Sequence, residues 1–279
     1  MTAFSISPRG PFSLAAAAEF LSGFPPADRP DAAEGPELTL AFLRDDFSGA
    51  AAVTLRERDG EIAGEGDDAV RAQAARMLSL DLDGSGYPAV GERDPVIGAL
   101  MAEHPGLRPV LYPSPYEAAA WAIISARIRG AQAVAVRRRL MDEHGEPAGG
   151  LPTFPPPQRL LELTEVRGLT GEKVVRLHAV AEAALEGVLD AEALRALDAD
   201  EARERLRAIR GIGPFLAELV LLRGAGAPDV LPAAAPRIRA AVAAAYGMAE
   251  PPDDARLAEI SDAWRPYRGW VCLLLRASE

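Results

Sequence analysis

The chain has 279 residues, 49% of them hydrophobic, and a formal net charge of −11. That is enough apolar material for one or two packed domains, but no uninterrupted apolar run reaches the roughly 18 residues a membrane helix needs. A single cysteine, Cys272, excludes an internal disulfide and fits a reducing cytoplasm. With only His104, His144 and His178 beside it, no zinc site of ordinary spacing can be composed, and the histidines read as surface or helix-end residues. The acidity is uneven. Residues 1–108 hold nine basic and eighteen acidic side chains, whereas residues 109–279 hold 21 and 23. Arginine outnumbers lysine 29 to 1, a compositional bias in which Lys173 stands alone.

The first residues, MTAFSISPRGPFSLAAAAEFLSGF, carry no basic leader and no cleavage pattern, and read as mature protein with a helix over Phe12–Phe24. ELTLAFL (37–43) and AAAVTLRER (50–58) alternate as antiparallel strands. EIAG (61–64) follows the turn Asp59-Gly60 and makes a hairpin with the second strand. Helices are predicted over Asp67–Leu80 and Asp94–Glu103. This first region, 1–108, is therefore α+β, and the proline-rich stretch PGLRPVLYPSP (105–115) marks its end. Helices then dominate residues 109–279: 115–129, 132–144, 157–164, 170–187, 190–196, 199–209, 214–223, 236–246, 253–263 and 268–276, broken by the Pro/Gly loop 145–157. The fold class is α+β, an N-terminal antiparallel sheet with helices followed by a mostly helical domain, and no internal repeat is present.

The most telling segment lies at 206–232, LRAIRGIGPFLAELVLLRGAGAPDVLP. A helix ending at Ile209 meets Gly211-Ile212-Gly213, and a second helix starts at Pro214, a residue suited to the first helical position. The glycines permit backbone angles closed to other residues. Such a turn presents the unpaired N–H groups of a helix start to an anion, most often a phosphate. A tight αα-turn with a purely structural role uses the same residues, so the motif alone leaves both readings open.

Six segments in order decide between them: RMLSLDLD (76–83), GERDPVIGALMAEHPGLRP (91–109), WAIISARI (121–128), RGLTGEKVVRLHAVAEAALEG (167–187), the hairpin with LLRGAGAPDV (221–230), and WRPYRGWVCLLL (264–275). With these the chain resembles the helix–hairpin–helix DNA glycosylases, and within them the bacterial alkylation-repair type, DNA-3-methyladenine glycosylase II. The resemblance implies a helix–hairpin–helix glycosylase domain over 109–279, with its DNA-binding hairpin at 206–223. It implies a monomeric, cytoplasmic protein with no membrane partner that holds double-stranded DNA bearing alkylated or abasic sites, extrudes the damaged nucleotide and hydrolyses its N-glycosidic bond. Backbone groups at Gly211, Ile212 and Gly213 would hold a phosphate beside the lesion. No cofactor is required, but Na+ or K+ would sit on the main-chain carbonyls of Arg207, Ile209 and Ile212, adding positive charge without a basic side chain. Phe215, Leu219 and Tyr267 would surround the extruded base, and each aromatic ring would attract a cationic alkylpurine by about 1–2 kcal/mol. Core packing is the competing reading for Phe215 and Tyr267, and the expected role of Trp121, Trp264 and Trp270.

Three positions depart from the family. The catalytic carboxylate falls six residues after Asp229, at Ala235, inside AAAPRIR, where a methyl group can neither take a proton nor stabilise a cation. Asp229, whose position looks structural, and Glu218, on the second helix of the motif, are the candidate substitutes. An engineered alanine is also consistent with the sequence. Second, where family members carry Gln and a wedge residue, this chain has Ala126 and Arg127. Arg127 would fill the gap left by the flipped nucleotide, the alternative being a solvated arginine on a helix. Third, Phe215 occupies the position of the Schiff-base lysine of bifunctional members, so lyase activity by that route is excluded. A catalytically silent lesion-binding protein and, more remotely, a helical interaction protein that has abandoned DNA are the rival readings.

Overall fold

The computed structural model describes residues 2–278. Its sheet has four antiparallel strands, β1 (Thr2–Ile6), β2 (Glu37–Leu43), β3 (Ala50–Arg58) and β4 (Glu61–Gly66), in the order β1-β4-β3-β2. The alternation read in β2 and β3 is real. Leu38, Leu40 and Phe42 face inward, as do Ala51, Val53 and Leu55, and the register pairs Leu40 with Val53. Asp59 and Gly60 both take positive φ (52° and 79°), the geometry of the tight turn that joins two twisted strands. Strand β1 was not expected: it is short, largely exposed, and pairs with a strand some sixty residues away, so it carries no local signal.

The helices are α1 (Leu14–Gly23), α2 (Asp68–Met77), α3 (Pro88–Arg93), α4 (Pro95–Glu103), α5 (Pro115–Ser125), α6 (Gly130–His144), α7 (Pro157–Leu161), α8 (Gly171–Leu185), α9 (Ala191–Ala196), α10 (Ala199–Arg207), α11 (Pro214–Leu219), α12 (Pro236–Ala245), α13 (Asp254–Asp262) and α14 (Arg268–Ala277). The α+β reading holds. Two boundaries around the hairpin differ from expectation: α10 stops at Arg207, and α11 passes into a π-helical turn over Val220–Ala225. Helix α3 was missed because it is a single six-residue segment opened by a proline.

Three apolar clusters organise these elements. One lies between the sheet and α1–α2, and a second surrounds α5. The third joins Tyr87, Val90 and Ile97 to α12–α14 and so crosses position 108. Asp94 ties that third cluster: its Oδ1 accepts the Val96 and Ile97 amides that open α4, while Oδ2 accepts Trp264 Nε1 at 2.9 Å and the Tyr246 hydroxyl. Trp121, Trp264 and Trp270 are core residues, as read from the sequence.

Helix α5 is capped by Ser114 and buries ten of its eleven residues. Among them is Glu117, which meets Arg137 of α6 at 2.8 Å, both side chains sealed from solvent. Burial pushes the Glu117 carboxyl above its ordinary range, and the adjacent Arg137 opposes that shift. Removing one partner of such a pair strands the other charge, at a cost of about 3–5 kcal/mol. Glu117→Ala is therefore expected to lower stability by about that amount in denaturant unfolding, and the double replacement Glu117→Leu/Arg137→Met should recover most of the loss.

Candidate nucleic-acid interface

The bend between α10 and α11 is pinned from within. Ile209 and Ile212 are buried in the cluster around α5, whereas Arg207, Arg210, Pro214 and Phe215 are exposed. The two glycines serve different needs. Gly211 has φ +95°, and a Cβ there would lie 2.7 Å from Arg176 Cδ and 3.1 Å from Ile123 Cδ1, so only glycine fits. Gly213 is ordinary extended backbone at φ −88° and ψ 179°, and a Cβ there would meet nothing within 4 Å. Backbone angle does not demand this second glycine, contrary to expectation. Its missing side chain leaves open space outside the protein, directly before the first turn of α11.

Among the described residues, the N–H groups of Gly211 and Gly213 donate to no backbone carbonyl. Ile212, expected among the DNA contacts, spends its N–H on Ile209 O at 3.0 Å and its side chain on the core. The bend therefore leaves two amides, those of the glycines, without a backbone acceptor among the described residues, rather than three. The carbonyls of Arg207 and Ile212 accept no backbone N–H among the described residues, and Ile209 O retains one lone pair after accepting Ile212. An all-oxygen set of this kind suits a hard monovalent cation. The described residues contain no cluster of three or more His, Cys, Asp or Glu side chains for a transition metal.

Basic side chains are exposed just after α5 and at the end of α10. Arg127 and Arg129 lie in the loop after α5, and Arg207 ends α10. All three are exposed and pair with no acid among the described residues. Arg127 is not on a helix, as the sequence suggested. Helix α5 stops at Ser125, and Arg127 takes a left-handed turn conformation at φ +57°. That conformation is costly for a side chain other than Gly, Asn or Asp. Arg176 and Arg210 share Glu172, at 3.1 and 3.3 Å. Lys173 Nζ donates to Ile124 O at 2.7 Å, capping the end of α5, and partial burial holds its ammonium below the ordinary lysine range. Arg129 and Arg176 were not singled out in the sequence, because in an arginine-rich chain only exposure and pairing separate a usable cation from a structural one.

The residues expected around an extruded base differ in burial. Phe215 is 43% exposed, which excludes its core-packing alternative, and Leu219 is half-buried. Tyr267 is buried; its hydroxyl donates to Asp83 O at 2.8 Å, and its ring lies 5.4 Å edge-on to Tyr87 and 5.0 Å from Trp270. Ala235 is 6% exposed and shares the apolar cluster of Tyr267. Asp229 braces the chain: it takes Arg268 Nε and Nη2 at 2.9 Å each and Arg265 Nη1 at 3.0 Å, so its lone pairs are spent. Glu218 Oε2, by contrast, accepts the Ala234 amide at 3.2 Å, one residue before Ala235. Arg239 grips the other side of the same peptide unit, donating to Ala233 O at 2.9 and 3.1 Å.

No protein-family model matches the chain. The DNA-3-methyladenine glycosylase of Bacillus subtilis is 25% identical over 206 residues, covering 71% of this chain and 68% of that one. The probable bifunctional transcriptional activator/DNA repair enzyme AlkA of Mycobacterium tuberculosis is 30% identical over 212 residues, covering 72% of this chain but only 40% of that longer protein. Among solved structures, the 3-methyladenine DNA-glycosylase from Archaeoglobus fulgidus matches with a TM-score of 0.77 at 24% identity, over 98% of this chain and 96% of that one. The chain resembles DNA-3-methyladenine glycosylases in sequence and shares the fold of solved DNA glycosylases. Mag1 of Schizosaccharomyces pombe, solved in complex with abasic DNA, shares the fold with a TM-score of 0.52 at 21% identity.

The two hairpin glycines separate in a stability measurement. Gly211→Ala should lose about 1–3 kcal/mol in thermal or denaturant unfolding, through a left-handed φ and contact with Arg176. Gly213→Ala should stay within about 0.5 kcal/mol of the parent.

Proposed function

We propose that the chain is a monofunctional DNA glycosylase of the alkylpurine type, a cytoplasmic monomer that binds double-stranded DNA at alkylated and abasic sites. The observation that carries this reading is the bend at 208–213: it is anchored inside by Ile209 and Ile212, the amides of Gly211 and Gly213 donate to no backbone carbonyl among the described residues, and the exposed Arg207 stands just before it in the chain. A phosphate responds to that local field, so a net charge of −11, concentrated in residues 1–108, does not oppose binding. The names of the relatives support the same substrate class.

In this reading the glycine amides hold a phosphate beside the lesion, and the carbonyls of Arg207, Ile209 and Ile212 hold Na+ or K+ behind it. Arg127, already projected from the loop after α5, enters the gap left by the extruded nucleotide. Phe215, Leu219 and Tyr267 bracket the base. Phe215 is exposed to receive it, and Tyr267 is fixed by its hydroxyl bond to Asp83 O. A cationic alkylpurine is attracted to such rings and is a good leaving group once bound. The only lysine, Lys173, is committed to Ile124 O, which supports a hydrolase without lyase activity. Ala235 favours a second reading, a lesion-binding protein that does not cleave, because a buried methyl group contributes nothing to hydrolysis.

Binding and cleavage are measured separately. Fluorescence anisotropy with a duplex containing an abasic-site analogue should show affinity falling steeply with salt, the slope reflecting a handful of phosphates. Gly213→Ala, harmless to folding, should weaken that binding, and Arg127→Ala should reduce the preference for the analogue over intact duplex about tenfold, on the order of 1.4 kcal/mol. Absence of binding at low salt would sink the DNA reading in favour of a helical interaction protein. Binding without release of free base from alkylated duplex would select the silent reader.

A further inference from the structure

We propose that Glu218 is the carboxylate of this active site, replacing the acid that Ala235 lacks; the proposal rests on the glycosylase reading above. When a purine departs from its sugar, C1′ acquires oxocarbenium character, and a nearby carboxylate both stabilises that charge and takes the proton of the attacking water. Three acids lie at or next to the segment 229–235. Asp229 is saturated by Arg265 and Arg268. Asp254 is exposed and paired with Arg239. Glu218 differs from both: it is buried, its Oε2 holds only the Ala234 amide, and its Oε1 has only the Arg203 guanidinium, 3.8 Å away, with no hydrogen bond among the described residues.

Its placement is set by the fold. The peptide between Ala233 and Ala234 is clamped on both sides, its oxygen by Arg239 and its hydrogen by Glu218. The carboxylate is thereby fixed one residue from Ala235. On α11, Glu218 follows Phe215 by one turn, so the two share a face of the helix that follows the phosphate-binding bend. The groups facing it are Arg203 from α10, Arg239 from α12 and the neutral Cys272 thiol from α14. Burial outweighs the two arginines and raises the carboxyl above the ordinary glutamate range, so the group accepts a proton more readily than a surface glutamate.

The step balances without a co-reactant. The C1′–N bond breaks, and its electron pair stays on the purine, which leaves neutral if it was cationic. Water oxygen forms the new bond to C1′ and passes one proton to Glu218.

Single-turnover release of 7-methylguanine from a duplex, measured with the full chain alongside binding of an abasic-site analogue, tests the assignment. Glu218→Gln keeps an acceptor for the Ala234 amide. It should lower the release rate about 100-fold with binding within about twofold. Wild-type release should decline as pH falls through a midpoint above the usual glutamate value, and the residual rate of Glu218→Gln should lose that dependence. Ala235→Asp in the Glu218→Gln background should restore release. In the wild-type background Ala235→Asp should add less than about threefold, a readout that does not require the Glu218 variant to fold. Release by Glu218→Gln at the wild-type rate, a gain of about 100-fold or more from Ala235→Asp alone, or a wild type that binds the analogue but releases no base would each overturn the proposal. Failure of the wild type to bind DNA would overturn the glycosylase reading itself.

Discussion

Helix α5 has no solvent face, and that single constraint sets the position of the bend between α10 and α11. With ten of eleven residues buried, it must be covered on every side, and α6, α8, α11 and the π-helical turn are the covering layer. Its end is the reference point of the candidate interface. Ile123 approaches Gly211, Ile124 O is capped by Lys173, and the loop that follows carries Arg127 and Arg129. Sealing a helix this way requires that its one acid be neutralised inside the protein, and Arg137 does so. The pair contributes placement more than net stability, because desolvating two ions offsets most of their attraction.

A half-buried cation joins the hairpin to the N-terminal region. Arg223, in the π-helical turn after α11, lies 4.3 Å from the Phe24 ring and within reach of Phe20 and Tyr112, and donates to Val110 O. Desolvation brings its guanidinium down to about 10, still charged at neutral pH and therefore held by the aromatic faces. The acidic first region thus packs against the turn that follows α11, and its acidity lies apart from the candidate interface in the chain. An acidic chain and a phosphate ligand are compatible because the charges that matter are those within a screening length of the bend.

The segment between α11 and α12 is framed by bonds from residues distant in the chain. Asp229, Arg265 and Arg268 lock one end, Arg239 and Glu218 clamp the Ala233–Ala234 peptide, and Ala235 continues into α12 with its methyl group in the core. None of these hydrogen bonds involves the Ala235 side chain, and the carboxylate held in the clamp is that of Glu218.

The sequence by itself determined what local periodicity and turn chemistry can encode. The alternation in residues 37–58, the Asp59-Gly60 turn, the helices of the second half and the Gly-Ile-Gly bend each follow from side chains within a few positions of one another. Six ordered motifs sufficed for the resemblance to the glycosylases. What the tertiary structure alone decided depends on neighbours distant in the chain. Strand β1 exists because β4 offers it an edge. Gly211 is required by Arg176 and Ile123 as well as by its own φ, whereas Gly213 is required by neither. Arg127 leaves the helix, Ile212 turns inward, and Glu218 reaches the Ala234 amide sixteen residues away. Burial and pairing are sums over such long-range contacts, and in a chain with 29 arginines no sequence pattern separates the few left free to meet a phosphate from those already spent on carboxylates and carbonyls.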